Sequence, residues 1–256
     1  MKKILALILV PCLLLGSLFL FSGCAKRVKY DNGDAYSTTS SGLIETEEEI
    51  HSVEIYWEGK IVSVIGSLLT DTVKVTEDET EDEDKALHYL VEEGVLKIYP
   101  CASGERLGDL SKSLILQLPL TLANSLQSLK VEVKGDTKVQ LSTMKPASLE
   151  VVAEDGSVSF EDGTLDRVRV ETVKGNLTVQ APKVTDLAFL SEVGNANISS
   201  RLYGFTAVMH NENGTFTSDY DMTQNGKIYT YGTQETVFIF DTEGKIHLQD
   251  YDIFKK

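Results

Sequence analysis

The stretch 149–179, LEVVAEDGSVSFEDGTLDRVRVETVKGNLTV, contains one pattern twice. In each copy, two apolar residues two positions apart are followed by a glycine and then by a second apolar pair. The two copies read Leu149/Val151, Gly156, Val158/Phe160 and Val168/Val170, Gly175, Leu177/Val179. Apolar residues that alternate with polar ones are typical of β-strands with one buried face. Each copy therefore predicts two short strands joined at a corner.

The leading apolar pair recurs on both sides of this stretch. It is found at Leu129/Val131, Leu149/Val151, Val168/Val170, Leu187/Phe189 and Phe205/Ala207, so the steps are 20, 19, 19 and 18 residues. A helical crossover does not fit, because it needs about a dozen residues or more between parallel strands. Two all-β architectures remain: a β-solenoid with degenerate coils of about 19–20 residues, and an antiparallel β-sandwich of hairpins. The near-constant period favours the solenoid, in which equivalent apolar residues stack in one row.

Glycines mark the predicted corners. Gly156, Gly175, Gly194 and Gly214 each follow a leading pair. The sequence predicts a positive φ at these corners, because glycine adopts that conformation without the steric cost that other residues have.

The C-terminal part is rich in aromatic residues. Val237-Phe-Ile-Phe240 is apolar on both faces, which predicts a strand that is covered on both sides. Tyr229 and Tyr231 lie on one face of another predicted strand. Their rings either pack in a cap over the core or form a binding surface for a sugar ring or a peptide.

The N-terminus reads as an export signal. Met1-Lys2-Lys3 precedes an apolar run over residues 4–21, and Ser22-Gly23 lead into Cys24. These features are typical of a secretory signal peptide. The ending resembles the bacterial lipoprotein signal, which implies removal of residues 1–23, acylation of Cys24 and a lipid anchor on the extracytoplasmic face of a bacterial cell membrane. An uncleaved anchor helix is the alternative, because the apolar run is long enough to cross a bilayer.

Two regions follow the predicted signal. Residues 24–49 are polar and without apolar periodicity, which predicts a flexible tether. Residues 50–256 form the predicted single β domain. Cys101 would be the only free cysteine left, so we expect no disulfide within the chain. We expect the Cys101 thiol to be buried and inert.

The chain is acidic, with a formal charge of −15. Lys2 and Lys3 are the only charges among the first 23 residues, so the chain without them carries −17. Such a field repels nucleic acid, which is not an expected partner. The run Glu77–Asp84 contains seven carboxylates in eight residues. It is either a Ca²⁺ loop or a solvated segment, and the dense like charge without an interspersed glycine favours the solvated segment.

No pattern predicts catalysis. The four histidines, at positions 51, 88, 210 and 247, have no metal-ligand spacing, and no nucleophile or phosphate-binding motif occurs. Outward-facing charges such as Arg167 and Arg169 are typical of cross-strand pairs. We therefore predict neither an enzyme nor a bound cofactor or metal.

The repeat, together with four upstream segments, resembles the bacterial putative-adhesin domain family over about residues 50–250. These segments are GKIVSV at 59–64, TVKV at 72–75, YLVEEGVLKIYP at 89–100 and LILQLP at 114–119. The resemblance implies a right-handed, β-helix-like envelope protein with an adhesive or structural role and no catalytic residues. The predicted function is thus a membrane-tethered binding lipoprotein whose partner is a cell-envelope protein or glycan. Alternatives are an envelope-stress regulator that binds a membrane partner and a polysaccharide-processing β-helix enzyme.

Overall fold

The computed structural model describes residues 27–39, 41–78, 82–108 and 110–251. The predicted signal peptide and Cys24 lie outside these ranges. The described chain is all-β, with one four-residue α-helix, α1 (Leu120–Ala123), and two 3-10 helices, Gly33–Ala35 and Glu83–Lys85. Its strands are β1 (Ser37–Thr38), β2 (Ser41–Leu43), β3 (Ser52–Ser67), β4 (Lys74–Glu77), β5 (His88–Glu92), β6 (Val95–Tyr99), β7 (Lys112–Pro119), β8 (Ser128–Lys134), β9 (Lys138–Ser142), β10 (Leu149–Ala153), β11 (Val158–Glu161), β12 (Thr164–Thr172), β13 (Leu177–Gln180), β14 (Lys183–Ser191), β15 (Ala196–Ser199), β16 (Gly204–Met209), β17 (Thr215–Ser218), β18 (Thr223–Asn225), β19 (Ile228–Gly232), β20 (Thr236–Asp241) and β21 (Lys245–Gln249).

The strands form two ladders that share β3. Ladder A has the order β1-β5-β6-β3-β8-β10-β12-β14-β20-β16-β19-β18. Ladder B has the order β2-β4-β7-β3-β9-β11-β13-β15-β21-β17. The first part of the 16-residue β3 belongs to ladder A and its second part to ladder B. In both ladders the central strands run parallel and the strands at the N-terminal end are antiparallel.

The apolar repeat positions stack on one another in register. Leu129 lies opposite Leu149, Leu149 opposite Val168, and Val168 opposite Leu187. In ladder B the second apolar pairs align in the same way, at Val139, Val158, Leu177 and Ala196. All of these side chains are buried in one continuous core. Four members of the predicted row of leading residues are therefore confirmed.

The prediction that Phe205 is the fifth member of that row is wrong. Leu187 lies opposite Phe238, and Phe238 lies opposite Ala207. Phe205 itself lies opposite Thr236. Strand β20 lies between β14 and β16 in ladder A, and strand β21 lies between β15 and β17 in ladder B. The last two strands in sequence are therefore not the last strands of the ladders. Sequence order and spatial order therefore differ at the C-terminal end.

The N-terminal end shows the same interleaving. Strand β3 comes before β6 and β7 in sequence, yet it lies between them and the pair β8 and β9. At both ends a strand pair thus sits between partners that are not its sequence neighbours. Antiparallel strands finish ladder A at both ends and ladder B at its N-terminal end, which limits the exposure of unpaired backbone on the long parallel ladders. At the other end of ladder B the last strand is β17, which runs parallel to β21.

The described part of the predicted tether packs against the β domain. Strand β1 pairs with β5 and strand β2 with β4, and Ile44 and Ile50 are buried in the core. The segment was expected to be flexible because it is polar. It is held instead by backbone hydrogen bonds at the edges of both ladders, which a polar sequence can make as well as an apolar one.

The corner glycines have a different cause from the predicted one. Gly156, Gly175 and Gly194 are not in the left-handed region, whereas Gly135 is, with a φ of 62°. A Cβ atom at Gly175 would lie 2.1 Å from the carbonyl oxygen of Gly156, and one at Gly194 would lie 2.1 Å from that of Gly175. The same correction applies to Gly214. Glycine is required at these corners because the backbones of stacked repeats approach too closely for a side chain.

We predict that alanine and asparagine at Gly175 destabilise the protein alike, each by about 1–3 kcal/mol, because either Cβ overpacks the corner. At Gly135, where space is open and φ is positive, asparagine should cost less than alanine because it tolerates the left-handed region. Chemical denaturation of the four variants checks this. If asparagine were clearly better tolerated than alanine at Gly175, a conformational requirement would account for that glycine instead.

Candidate interaction surface

The outer face of ladder A carries a row of alternating charges across five neighbouring strands. Each strand contributes one outward residue in register with the next. This charged row consists of Lys97, Glu54, Lys130, Glu150 and Arg169. Opposite charges on adjacent strands stabilise a sheet by about 0.2–1 kcal/mol per pair. Arg169 lies in cross-strand register with Glu150, as predicted, but its ion pair is with Glu171, two residues along its own strand.

The same row continues without charge toward the C-terminal end. After Arg169 its outward positions are Ala188, Ile239, Val208 and Ile228, on β14, β20, β16 and β19. These four residues are called the apolar row. The first three are half-buried and Ile228 is 44% exposed. One straight row thus changes from alternating charge to aliphatic side chains.

Strand β20 explains why this part of the surface is unusual. Its inward residues Phe238 and Phe240 are fully buried, as expected for a core strand. Its outward residues Val237 and Ile239 are only half-buried. The sequence predicted cover on both sides, and the structure provides complete cover on one side alone.

Tyr229 and Tyr231 lie on the inner side of the C-terminal end. The ring centroid of Tyr229 is 4.4 Å from that of Phe216, and the ring centroid of Tyr231 is 5.0 Å from that of Tyr220. Both rings are half-buried and pack on the core cluster. Of the two roles considered for them, their packing corresponds to the cap over the core.

A second group of tyrosines, absent from the sequence-based candidates, lies on the outside at the N-terminal end. This tyrosine cluster consists of Tyr30, Tyr36, Tyr56 and Tyr99. The centroids of Tyr30 and Tyr99 are 4.0 Å apart and those of Tyr56 and Tyr99 are 4.8 Å apart, both pairs stacked. The signal was the strand phase: in VEIYW and VLKIY the apolar neighbours point inward, so Tyr56 and Tyr99 must point outward.

Burial controls the ionisation of the tyrosine cluster. Desolvation raises the pKa of Tyr99 and of Tyr30 far above the usual range. The Lys130 ammonium lies 5.6 Å from the ring centroid of Tyr56. Burial lowers the pKa of Lys130, but Tyr56 and nearby glutamates outweigh this effect and the net shift is upward. The phenols are therefore neutral and Lys130 is charged at neutral pH, which permits a cation–π contact.

The acidic run is not uniformly solvated, because its first residue is buried. The side chains of Glu77 and Lys112 are both 0% exposed, and Lys112 Nζ donates to Glu77 Oε2 at 2.5 Å. Lys112 Nζ also donates to the carbonyl oxygens of Lys85 and Pro100. Glu77 Oε1 accepts from the backbone N–H of Leu87 at 2.6 Å. The ion pair thus fastens the two ends of the acidic loop to the connection between β6 and β7.

The pair is shielded from solvent. Lys112 Nζ lies 5.4 Å from the ring centroid of Trp57, and burial lowers the pKa of Lys112 and raises that of Glu77. Three acceptors around one ammonium satisfy its three donors, so the geometry is that of a charged, fully paired lysine. Nearby Cys101 is buried, and desolvation raises its pKa to about 11, which keeps the thiol protonated.

Within the described ranges, no three His, Cys, Asp or Glu side chains form a group suited to a metal ion. No helix there has the length and apolar character needed to span a bilayer.

No protein-family model matches the chain, and no curated protein matches it. Crystal structures of several proteins are distantly similar to it. One, described as a "putative cell adhesion protein" from Clostridium sporogenes, has 14% identity and a TM-score of 0.41 over 84% of this chain and 99% of that one. A "putative adhesin" from Bacteroides fragilis has 10% identity and a TM-score of 0.33 over 79% and 93%. A "putative lipid binding protein" from Parabacteroides distasonis has 13% identity and a TM-score of 0.36 over 87% and 99%. Such distant likenesses assign neither a family nor a ligand.

We predict that Lys112→Met costs about 3–5 kcal/mol, because it leaves the buried Glu77 charge unpaired. The loss should shrink between pH 7 and pH 5. The folded-state pKa of the orphaned Glu77 is raised above its unfolded value, so the folded state binds more protons and gains stability as the pH falls. Urea denaturation at both pH values measures this.

The matched control is the double variant Lys112→Met with Glu77→Leu. It removes both charges and should recover part of the loss without the pH dependence. A single variant that is no less stable than the double variant would contradict a charge-paired role for Lys112.

Proposed function

We propose that this chain is a membrane-tethered, extracytoplasmic binding lipoprotein whose two ladders are the walls of a β-solenoid. Its partner is another protein of the cell envelope, which docks on the apolar row of ladder A. The observation that carries this proposal is the uncovered outer side of β20 and its neighbours. The resemblance of the repeat to the bacterial putative-adhesin domain family points to the same class of function.

The physical argument starts from the parallel strands. Parallel sheets are normally covered on both faces, and their strands are then apolar on both faces. Strand β20 has this composition, yet Val237 and Ile239 are only half-buried on the outer side. A contiguous apolar area on an otherwise charged protein marks an interaction site. A bound partner would supply the cover that the chain itself does not.

The chemistry of the row favours a protein over a glycan. Its members are aliphatic, and the flanking outward positions on β16 and β19 are Thr206 and Thr230. Aliphatic side chains bind by burial of apolar surface, whereas sugar rings are typically met by aromatic rings and hydrogen-bonding groups. Attachment to the membrane would come from the predicted acylation of Cys24, which sequence alone supports.

We predict that Val208→Lys combined with Ile228→Lys abolishes capture of the envelope partner by immobilised mature protein. A charge at the centre of an apolar contact is costly to bury, and a loss of tenfold or more in retention corresponds to about 1.4 kcal/mol or more. Quantitative pull-downs from solubilised envelope fractions measure retention, and the captured partner is then titrated as purified protein.

Thr178→Lys combined with Thr217→Lys is the matched control, because these residues face outward on ladder B. It should retain the partner as the wild type does. Thermal unfolding shows whether the variants remain folded. Equal retention by both variants would remove the apolar row as the binding site, and retention only of glycan would replace the proposed partner.

We predict that Cys24→Ala releases the protein from the membrane fraction into the soluble extracytoplasmic fraction. Two or more acyl chains anchor a protein stably, because each buried CH₂ contributes about 0.8 kcal/mol. Cell fractionation with immunoblotting measures the distribution. Continued membrane retention of the variant would contradict lipidation.

A further inference from the structure

We infer that the N-terminal end of the two ladders rests directly on a lipid bilayer and that the molecule stands end-on. This inference rests on the proposed lipid anchor and adds an orientation to it. It follows from where the segment after Cys24 is fixed and from two exposed leucines at the same end.

The segment after the anchor is docked almost at once. Val28 N–H donates to the Glu105 carbonyl at 2.9 Å, and Gly104 N–H donates to the Val28 carbonyl at 2.7 Å. Tyr30 N–H donates to Ser103 Oγ at 3.1 Å, and Ser103 Oγ donates back to the Tyr30 carbonyl at 2.8 Å. The Tyr30 ring stacks on Tyr99 in the tyrosine cluster. A long flexible tether is therefore replaced by a fixed attachment.

The distance from the anchor to this attachment is short. Cys24 precedes Val28 by four residues, which span at most about 14 Å when fully extended. The connection between β6 and β7, which includes Gly104 and Glu105, thus cannot lie far from the lipid headgroups. Strands β6 and β7 are the outermost parallel pair at the N-terminal end of the ladders.

Basic side chains lie beside the docked segment: Arg27, Lys29 and Arg106 are exposed here. Exposed acidic groups lie there as well. Asp31, Asp34 and Glu105 are exposed, and the carbonyl of the exposed Asp84 accepts from the N–H of Ala102. The charges therefore do not select an anionic leaflet, and the contact is inferred from the docked segment and from the leucines.

Two leucines provide a second contact at the same end. Leu68 is 83% exposed and Leu69 is 94% exposed. They lie in the loop that leads from β3 to β4, which belongs to the N-terminal end of ladder B. Fully exposed neighbouring leucines are costly in water and favourable in the interfacial region of a bilayer.

End-on contact places the apolar row away from the membrane. Strands in a ladder are about 4.8 Å apart, so the row on β14, β20, β16 and β19 begins about 24 Å and ends about 38 Å from β6. The proposed binding surface would then be held out from the bilayer, where a partner can reach it.

The test uses full-length lipidated protein with a fluorophore on a single introduced cysteine. The protein is bound to vesicles of phosphatidylcholine and phosphatidylglycerol, which contain a lipid with a nitroxide headgroup as quencher. The reporters are Glu105→Cys and Asp71→Cys at the N-terminal end and Thr223→Cys at the far end, all at exposed positions. Native Cys101 is buried, and its raised pKa limits its labelling, which wild-type protein measures as background. We expect quenching at both near reporters to exceed that at the far reporter by about threefold or more, given the separation of the ends.

Tyr30→Ala should release the segment and lower quenching at Glu105→Cys toward the level of the far reporter. Tyr203→Ala, which alters an 83% exposed ring elsewhere, should leave it unchanged. Equal quenching at all three reporters on vesicle-bound protein would overturn the end-on orientation and leave the lipid anchor intact. Failure of wild-type protein to float with the vesicles would overturn the anchor itself.

Discussion

Close approach of stacked backbones at the corners is the constraint on which the rest of the structure depends. A Cβ at Gly175 would come within 2.1 Å of a carbonyl oxygen of the preceding repeat, and Gly244 meets Gly194 at the same distance. The corners therefore fix the register of each repeat on the next. Register in turn places every apolar pair on its equivalent and every outward residue in a straight row, because a shift of one residue would reverse the faces of a strand.

The sequence was informative where the repeat is local and regular. The alternation at Leu149 and Val168 predicts both the strands and their stacking, since the periodicity of two decides which face is buried. The alternation does not predict the stacking of Phe205, because β20 lies between β14 and β16 although it follows both in sequence. No local pattern distinguishes a strand at the end of a ladder from a strand that lies between two earlier ones. Only the large aromatic residues Phe238 and Phe240 indicate a more buried position for β20.

The candidate surface was predictable only in part. Arg169 was expected to pair across strands; it lies in register with Glu150, but its ion pair is with Glu171 on its own strand. The apolar row could not be anticipated, because its members come from β14, β16, β19 and β20 and meet only through the interleaved order. The buried Glu77 was hidden for another reason: it opens a run of carboxylates that composition alone assigns to solvent, and its partner Lys112 is 35 residues away.

The interleaving also explains why the two ends of the molecule differ from its middle. Central repeats contact neighbours in sequence, so their strand pairs close short loops, whereas β3 and β20 must join partners that are distant along the chain. Such contacts form at a higher cost in chain entropy and are rewarded only once both partners are in place. The ends therefore depend on segments that are not repeats at all: the docked N-terminal segment around Tyr30 at one end and the hairpin of β18 and β19 at the other. Variation in those segments can therefore change the surfaces of the two ends without disturbing the stacked middle.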